Sequence, residues 1–226
     1  MSATMKDEMQ PAIYRFKFGN FEITNILDGK VIRRGLHPSF GPERGAGEAR
    51  DLCLANNIDS DRYEHPFIPT LINTGKQMLS FDTGNGALRR EYEQLRNRLS
   101  DGQLVSRLAE AGYQPADIDI VVITHGHPDH IGGLMKGGQP IFPKARYVFG
   151  AAEFDFWKRG ENVREARKFN RELFVNIVAA CRLLSFRHAW RGNRSENPCN
   201  RRCGTFSGHA GLSRRKRRQT PFDLGR

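Results

Sequence analysis

The chain has 226 residues and a formal net charge of +11, with no run of eighteen apolar residues. One sizeable domain with a filled core is expected, and a membrane-spanning helix is not. The charge is uneven: residues 181–226 carry eleven Arg and one Lys against Glu196 and Asp223, while residues 1–180 are close to neutral. Met1 to Gln10 is polar, carries both charge signs and lacks an apolar segment, which predicts a cytoplasmic protein. Four cysteines in such a chain are expected to be reduced thiols and not a disulfide scaffold.

Tyr14 to Phe18 and Phe21 to Leu27 are strand-like runs around Gly19-Asn20, a pair suited to a hairpin turn, and Asp28-Gly29 supplies another turn. Residues 33–66 are polar, rich in Gly and Pro and without a sustained period. They read as a long loop with a short helix near Ala49 to Ala55, and such loops often serve as lids or binding walls. His37 and His65 fall here and read as surface or packing histidines. Phe67 to Asn73 and Gln77 to Phe81 form a second hairpin pair, ending in Asp82-Thr83-Gly84. Asp82 either caps a turn or orients a metal ligand from behind. Leu88, Tyr92, Leu95 and Leu99 share a helical face, and Asp101 reads as the N-cap of a second helix that Gly112 ends.

The β-branched run Val121-Val122-Ile123 then reads as a buried strand that empties into Thr124-His125-Gly126-His127-Pro128-Asp129-His130. Side chains two apart on an extended segment project to the same side, so His125 and His127 converge. Pro128 suits the first position of a helix, which carries Asp129 and His130 into the same space from another direction. Imidazole and carboxylate together are the ligand set of zinc and of harder ions such as manganese or iron. A solvated polar loop is the competing reading; it suits a lone histidine better than four such groups on one turn. Gly132-Gly133 allows close backbone packing, and Ala145 to Phe149 reads as a further strand. Ala152 to Ala180 reads as helical, interrupted near Gly160-Glu161-Asn162. Phe154, Phe156 and Trp157 are expected in packing, with an aromatic substrate wall as the alternative.

The segment from His125 to His130 resembles the His-x-His-x-Asp-His motif of the metallo-β-lactamase-fold hydrolases. The likeness runs from about Tyr14 to about Trp157 and is similar in detail to the methyl-parathion-hydrolase-like branch. Asn73-Thr74-Gly75, Asp82-Thr83-Gly84, Ala111-Gly112-Tyr113-Gln114-Pro115, Gly132-Gly133-Leu134-Met135 and Phe142-Pro143 carry it. The resemblance implies an α/β fold, an αββα sandwich, holding two divalent metal ions, zinc first and manganese or iron as alternatives. By matching position His125 and His127 serve one metal and Asp129 and His130 the other. Asp129 is also the candidate catalytic residue, and Asp82 stands behind the ligands. A small-molecule ester, lactone or phosphotriester is the implied substrate, attacked by metal-activated hydroxide.

The family draws its remaining ligands from the second half of its fold, and from Cys181 onward the strand-rich pattern is missing. His209, after Gly208, half-matches a family element, and Asp223 is a weaker candidate for a bridging ligand. The expectation is therefore residues 1–180 as the N-terminal part of the domain, incomplete in its second half. Residues 181–226 then form a basic, disordered or aberrant tail. The arginine surplus, clustered cysteines and lost periodicity together suggest a reading-frame shift near residue 180. A catalytically impaired remnant is the alternative function. Nucleic-acid binding through the tail, with Cys199, Cys203 and His209 joined by Cys181 or His188 around zinc, fits no common finger spacing and is not expected.

Overall fold

Residues 11–180 are described by the computed structural model. β1 (Ile13–Phe18) and β2 (Phe21–Ile26) form the expected antiparallel hairpin, with Phe18 opposite Phe21 and Gly19 at φ 58° in the turn. β3 (Gly29–Arg33) pairs with β4 (Tyr63–Phe67) as a separate antiparallel ribbon, and α1 (Ala46–Ala55) lies on the loop between them. The sequence conceals this ribbon, because Pro66 lacks an N–H for the ladder and Arg33 and His65 interrupt the apolar face that Val31 and Phe67 share. Phe67 thus belongs to the ribbon, and the second hairpin is the shorter pair β5 (Thr70–Asn73) and β6 (Met78–Phe81).

The expected helix over Leu88 to Leu99 is not continuous. α2 (Leu88–Glu91) stops at Tyr92, which is extended at φ −127° and ψ 117°, and a 3-10 turn follows at Glu93–Leu95. Leu88, Leu95 and Leu99 are nevertheless buried together with Phe67 and Leu173, so docking of the apolar side chains prevails over helix propensity. Asp101 is likewise not the cap of α3 (Leu104–Glu110); it faces Arg89 and Arg90 at 3.7 and 3.5 Å. The capping acceptor is Asp28, distant in sequence, whose Oδ1 accepts from Gln103 N and Leu104 N at 2.9 and 2.8 Å. Its Oδ2 accepts from Asn85 N at 2.8 Å.

β7 (Ile120–Ile123), α4 (Pro128–Ile131), the small hairpin β8 (Met135–Lys136) and β9 (Gln139–Pro140), and β10 (Arg146–Phe149) follow. α5 (Ala151–Arg159) ends at Gly160, left-handed at φ 72°, and α6 (Lys168–Ala180) completes the described chain. One six-stranded sheet runs β1-β2-β5-β6-β7-β10, antiparallel as far as β6 and parallel across β6, β7 and β10. The parallel part places the end of β7 beside the end of β6, which is where functional groups gather in layered α/β folds.

The two faces of this sheet differ. Thr24, Ile26, Leu71, Met78, Ser80, Val121, Ile123, Tyr147 and Phe149 alternate onto one face and are sealed beneath α3, α4, α5 and α6. The other face carries Phe16, Ile23, Ile72, Leu79, Phe81, Val122 and Val148, which are half-buried or exposed, Phe16 at 38%. A sheet apolar on both faces is built to be covered on both. No helix among the described residues is long and apolar enough to cross a membrane.

Candidate metal centre

β7 delivers the motif because its last residue, Ile123, is locked in the core and the chain beyond it is held by side chains from elsewhere. Asp82, at the end of β6 and left-handed at φ 62°, accepts at Oδ1 from Thr124 N at 2.8 Å and from the Thr124 hydroxyl at 3.0 Å. Glu153 of α5 accepts at Oε1 from Gly126 N at 2.9 Å and from Trp157 Nε1 at 2.6 Å. A side chain at position 126 would strike the rings of Trp157 and Phe174, so the spacer between the first two histidines has to be glycine. Pro128 opens α4 at its first position, as the sequence predicts. Gly133 then lets α4 settle against the Thr83 carbonyl, and Thr83 returns the contact by donating N and Oγ1 to His130 O at 2.9 and 2.8 Å.

The four motif side chains come together in two pairs. His125 Nε2 lies 2.9 Å from His127 Nδ1. His130 Nε2 lies 3.3 Å from Asp129 Oδ2, and its Nδ1 lies 2.8 Å from Asp82 Oδ2. The His125 ring centroid is 3.8 Å from that of His130 and 4.5 Å from that of His127. Among the described residues no three His, Cys, Asp or Glu side chains are arranged to enclose one ion. The donor chemistry nevertheless fits a shared cation pair by pair. Two atoms each about 2.0–2.1 Å from one tetrahedral ion stand roughly 3.3 Å apart.

Burial and mutual charge shape the protonation of the cluster. Burial holds the His127 imidazole down to about 4, helped by His125 and by Arg167, whose Nη1 rests against His127 Nε2. Burial and the neighbouring His130 also lower His125. Burial pushes the Asp129 carboxyl up, but its hydrogen bond and charge interaction with His130 outweigh this and bring it to about 2. Burial works against protonation of His130 as well, yet hydrogen bonds to Asp129 and Asp82 raise it to about 9. His130 therefore stabilises the metal-free fold fully below pH 6.5 and less as pH rises through about 9. His127 acts oppositely: its neutral form is favourable above pH 6.5, and stability falls as pH drops toward about 4. A metal-free sample is thus expected to show imidazole resonances titrating near 4 and near 9, with a denaturation midpoint that declines on both sides of about pH 6.5. Resonances assigned to His127 and His130 that both titrate near 6.5 would contradict this.

His125, His127, Asp129 and His130 thus lie together, with Asp82 bonded to the back of His130. His209 and Asp223, and the expectations for residues 181–226, lie outside the described residues. Glu153 and Arg167 were not anticipated. Glu153 had only its four-residue spacing from Trp157 as a signal, and Arg167 had none.

The metallo-beta-lactamase superfamily model matches residues 70–191, more than half of the chain. The chain belongs to the metallo-beta-lactamase superfamily, and the described residues build the α/β architecture of that fold. Among solved structures it is similar to AidC, a dizinc quorum-quenching lactonase in complex with a hexanoyl-homoserine product. The identity is 25% and the TM-score 0.67, over 81% of this chain and 64% of that one. A probable metal-dependent hydrolase from Staphylococcus aureus matches at 25% identity and TM-score 0.58, over 76% of this chain and 61% of that one. The hydrolase AbOPH shares the fold at 22% identity and TM-score 0.65, over 80% of this chain and 62% of that one. An uncharacterized protein of Caenorhabditis elegans is 41% identical over 51 residues, 23% of this chain and 13% of that protein. The chain therefore spans less than two thirds of the length of each of these relatives.

Proposed function

We propose that this chain is a metal-dependent hydrolase of small molecules from the methyl-parathion-hydrolase-like branch, acting on an ester, lactone or phosphotriester bond. The observation that carries the reading is the pair of donor sets at the end of β7, His125 with His127 and Asp129 with His130. The likeness to a dizinc lactonase and to a probable metal-dependent hydrolase supports it. His125 Nε2 and His127 Nδ1 would hold one divalent ion, Asp129 Oδ2 and His130 Nε2 a second, with zinc the first choice and manganese or iron the alternatives. When bound, such ions polarise a carbonyl or phosphoryl oxygen and make hydroxide available near neutral pH.

The surrounding residues set up that chemistry. Asp82 accepts the His130 Nδ1 proton, which fixes the tautomer and leaves Nε2 facing Asp129. Thr124 ties the Asp82 carboxylate to the strand end at 2.8 Å. Glu153 holds Gly126 and Trp157 in place. The Trp157 ring, itself buried, stands 5.9 Å from that of His127 and packs against it edge-on. The test is hydrolysis of a panel of aryl esters, lactones and phosphotriesters. Activity is expected to disappear with a chelator and to return with zinc or manganese; activity indifferent to the chelator would defeat the reading.

A second reading is favoured by the open apolar face of the six-stranded sheet, whose Phe16, Ile23, Ile72, Leu79 and Phe81 keep partial to substantial exposure. Under it, residues 1–180 are the first part of the domain only, residues 181–226 are an aberrant tail, and the chain is catalytically impaired. A metal content clearly below two per chain, without hydrolysis of any member of the panel, distinguishes it from the first.

A further inference from the structure

The β3–β4 ribbon has one outward and one inward face. Lys30 and Ile32 point out, Ile32 at 56% exposure, and Lys30 pairs with Glu64 at 2.8 Å. The register Gly29↔Phe67, Val31↔His65 and Arg33↔Tyr63 puts Val31, Arg33, Tyr63, His65 and Phe67 on the opposite, inward face. Val31 and Phe67 belong there, in an apolar cluster with Leu88 and Leu95. Arg33 and His65 need another reason.

Arg33 Nε and His65 Nδ1 are both sealed from solvent and have no hydrogen-bond partner. Arg33 makes no ion pair among the described residues; its one hydrogen bond is a long contact of 3.5 Å to the Ser39 hydroxyl. An orphaned buried polar atom is costly, and two side by side on one ribbon face form an unfilled demand for an oxygen ligand. The charges of Arg33, Asp129 and His130 all act on the His65 ring, so His65 lies within electrostatic range of the candidate metal centre. Burial and the adjacent guanidinium hold His65 neutral, so its imidazole can offer an N–H without adding charge. The cover is aromatic: Phe40 stacks on His65 at 6.0 Å and meets Tyr63 edge-on at 5.4 Å. Phe40 is itself 45% exposed, so it can be displaced from the long loop at little cost in buried area.

We propose that Arg33 and His65 form a carboxylate-binding subsite within electrostatic range of the candidate metal centre, opened when Phe40 swings aside. The substrate therefore carries a carboxylate on the portion not attacked. The Arg33 guanidinium donates through Nε to one carboxylate oxygen, and His65 donates through Nδ1 to the other or to the same one. The placing of this group on a substrate rests on the hydrolase reading; the binding of a carboxylate does not.

Two arms test it on the full chain. The first compares 4-nitrophenyl acetate with the mono-4-nitrophenyl ester of glutaric acid. The charged ester is expected to be preferred by about tenfold in kcat/KM, mostly through KM, with the preference erased in Arg33→Gln and partly kept in Arg33→Lys. The second titrates glutarate alone by calorimetry, expecting at least about tenfold weaker binding in Arg33→Gln and His65→Phe and no change in the outward-facing control Ile32→Thr. Glutarate binding unaffected by Arg33→Gln, or absent at about 10 mM, overturns the subsite, as does hydrolysis with no preference for the charged ester. Glutarate binding that depends on Arg33 in a chain that hydrolyses neither ester upholds the subsite and defeats the hydrolase reading.

Discussion

Replacing Asp28 with Ala is expected to destabilise the fold by about 3–5 kcal/mol, enough to remove most of the stability of an ordinary domain. Asp28 is wholly buried, and its two oxygens accept from Asn85 N, Gln103 N and Leu104 N at 2.8 to 2.9 Å. Ala leaves the buried Asn85 N and Leu104 N without acceptors, each costing roughly 1–3 kcal/mol, while Gln103 N keeps the Asp28 main-chain oxygen at 3.0 Å. Burial pushes the Asp28 carboxyl up, against the pull of those donors and of Arg107. Asp28→Asn keeps the volume but turns an amide N–H₂ toward donors already present, so it is expected to fall between the Ala variant and the parent. The loss is also expected to reach the candidate metal centre. Gly84 packs directly on the Asp28 carboxyl, Gly84 O accepts from Gly133 N at 3.2 Å, and Thr83 is bonded to His130. Chemical denaturation monitored by circular dichroism measures the effect; a shift under about 1 kcal/mol would show that the carboxylate is dispensable.

On the proposed hydrolase reading, replacing His125 and His127 together with Ala is expected to reduce kcat/KM by about a thousandfold or more, a loss of roughly 4 kcal/mol or more in transition-state stabilisation. Both rings belong to one donor pair, and neither has a stand-in among the described residues. The fold should tolerate the change far better than it tolerates loss of Asp28. Both positions lie beyond the last buried residue of β7, and neither side chain belongs to an apolar core cluster, so removing them opens no cavity in the core. Retention of activity within tenfold would exclude these residues from the reaction.

The parts of this architecture that sequence reading captured are those in which one physical cause acts locally. The hairpin at Gly19-Asn20 follows from a turn pair between alternating runs, and β7 from a β-branched segment. α4 begins at Pro128 because the ring suits the first helical position. Elements were missed where the cause is distant. Leu88, Leu95 and Leu99 have helical spacing, but each is claimed by a cluster containing Phe67 and Leu173, and the helix breaks at Tyr92 to satisfy all three. Asp101 had the look of a cap, while the acceptor that caps α3 comes from Asp28. The β3–β4 ribbon was hidden by the polar residues on its inward face, Arg33 and His65, which the proposed subsite accounts for. At the candidate metal centre the gathering of the four motif side chains follows from type and spacing, whereas for Asp82 spacing left a turn cap and a partner of the ligands equally open. Glu153, which positions both Gly126 and Trp157, was not legible, because nothing local distinguishes a helical glutamate that turns inward from one that faces solvent.

The central claim is that the turn after β7 is a place for cations shared between imidazole and carboxylate. Metal content per chain, measured by elemental analysis after dialysis against zinc and again against manganese, tests it most directly when the parent is run beside the His125→Ala/His127→Ala variant. The account predicts bound metal in the parent and at least one equivalent fewer in the variant. Equal metal content in the two chains would contradict it.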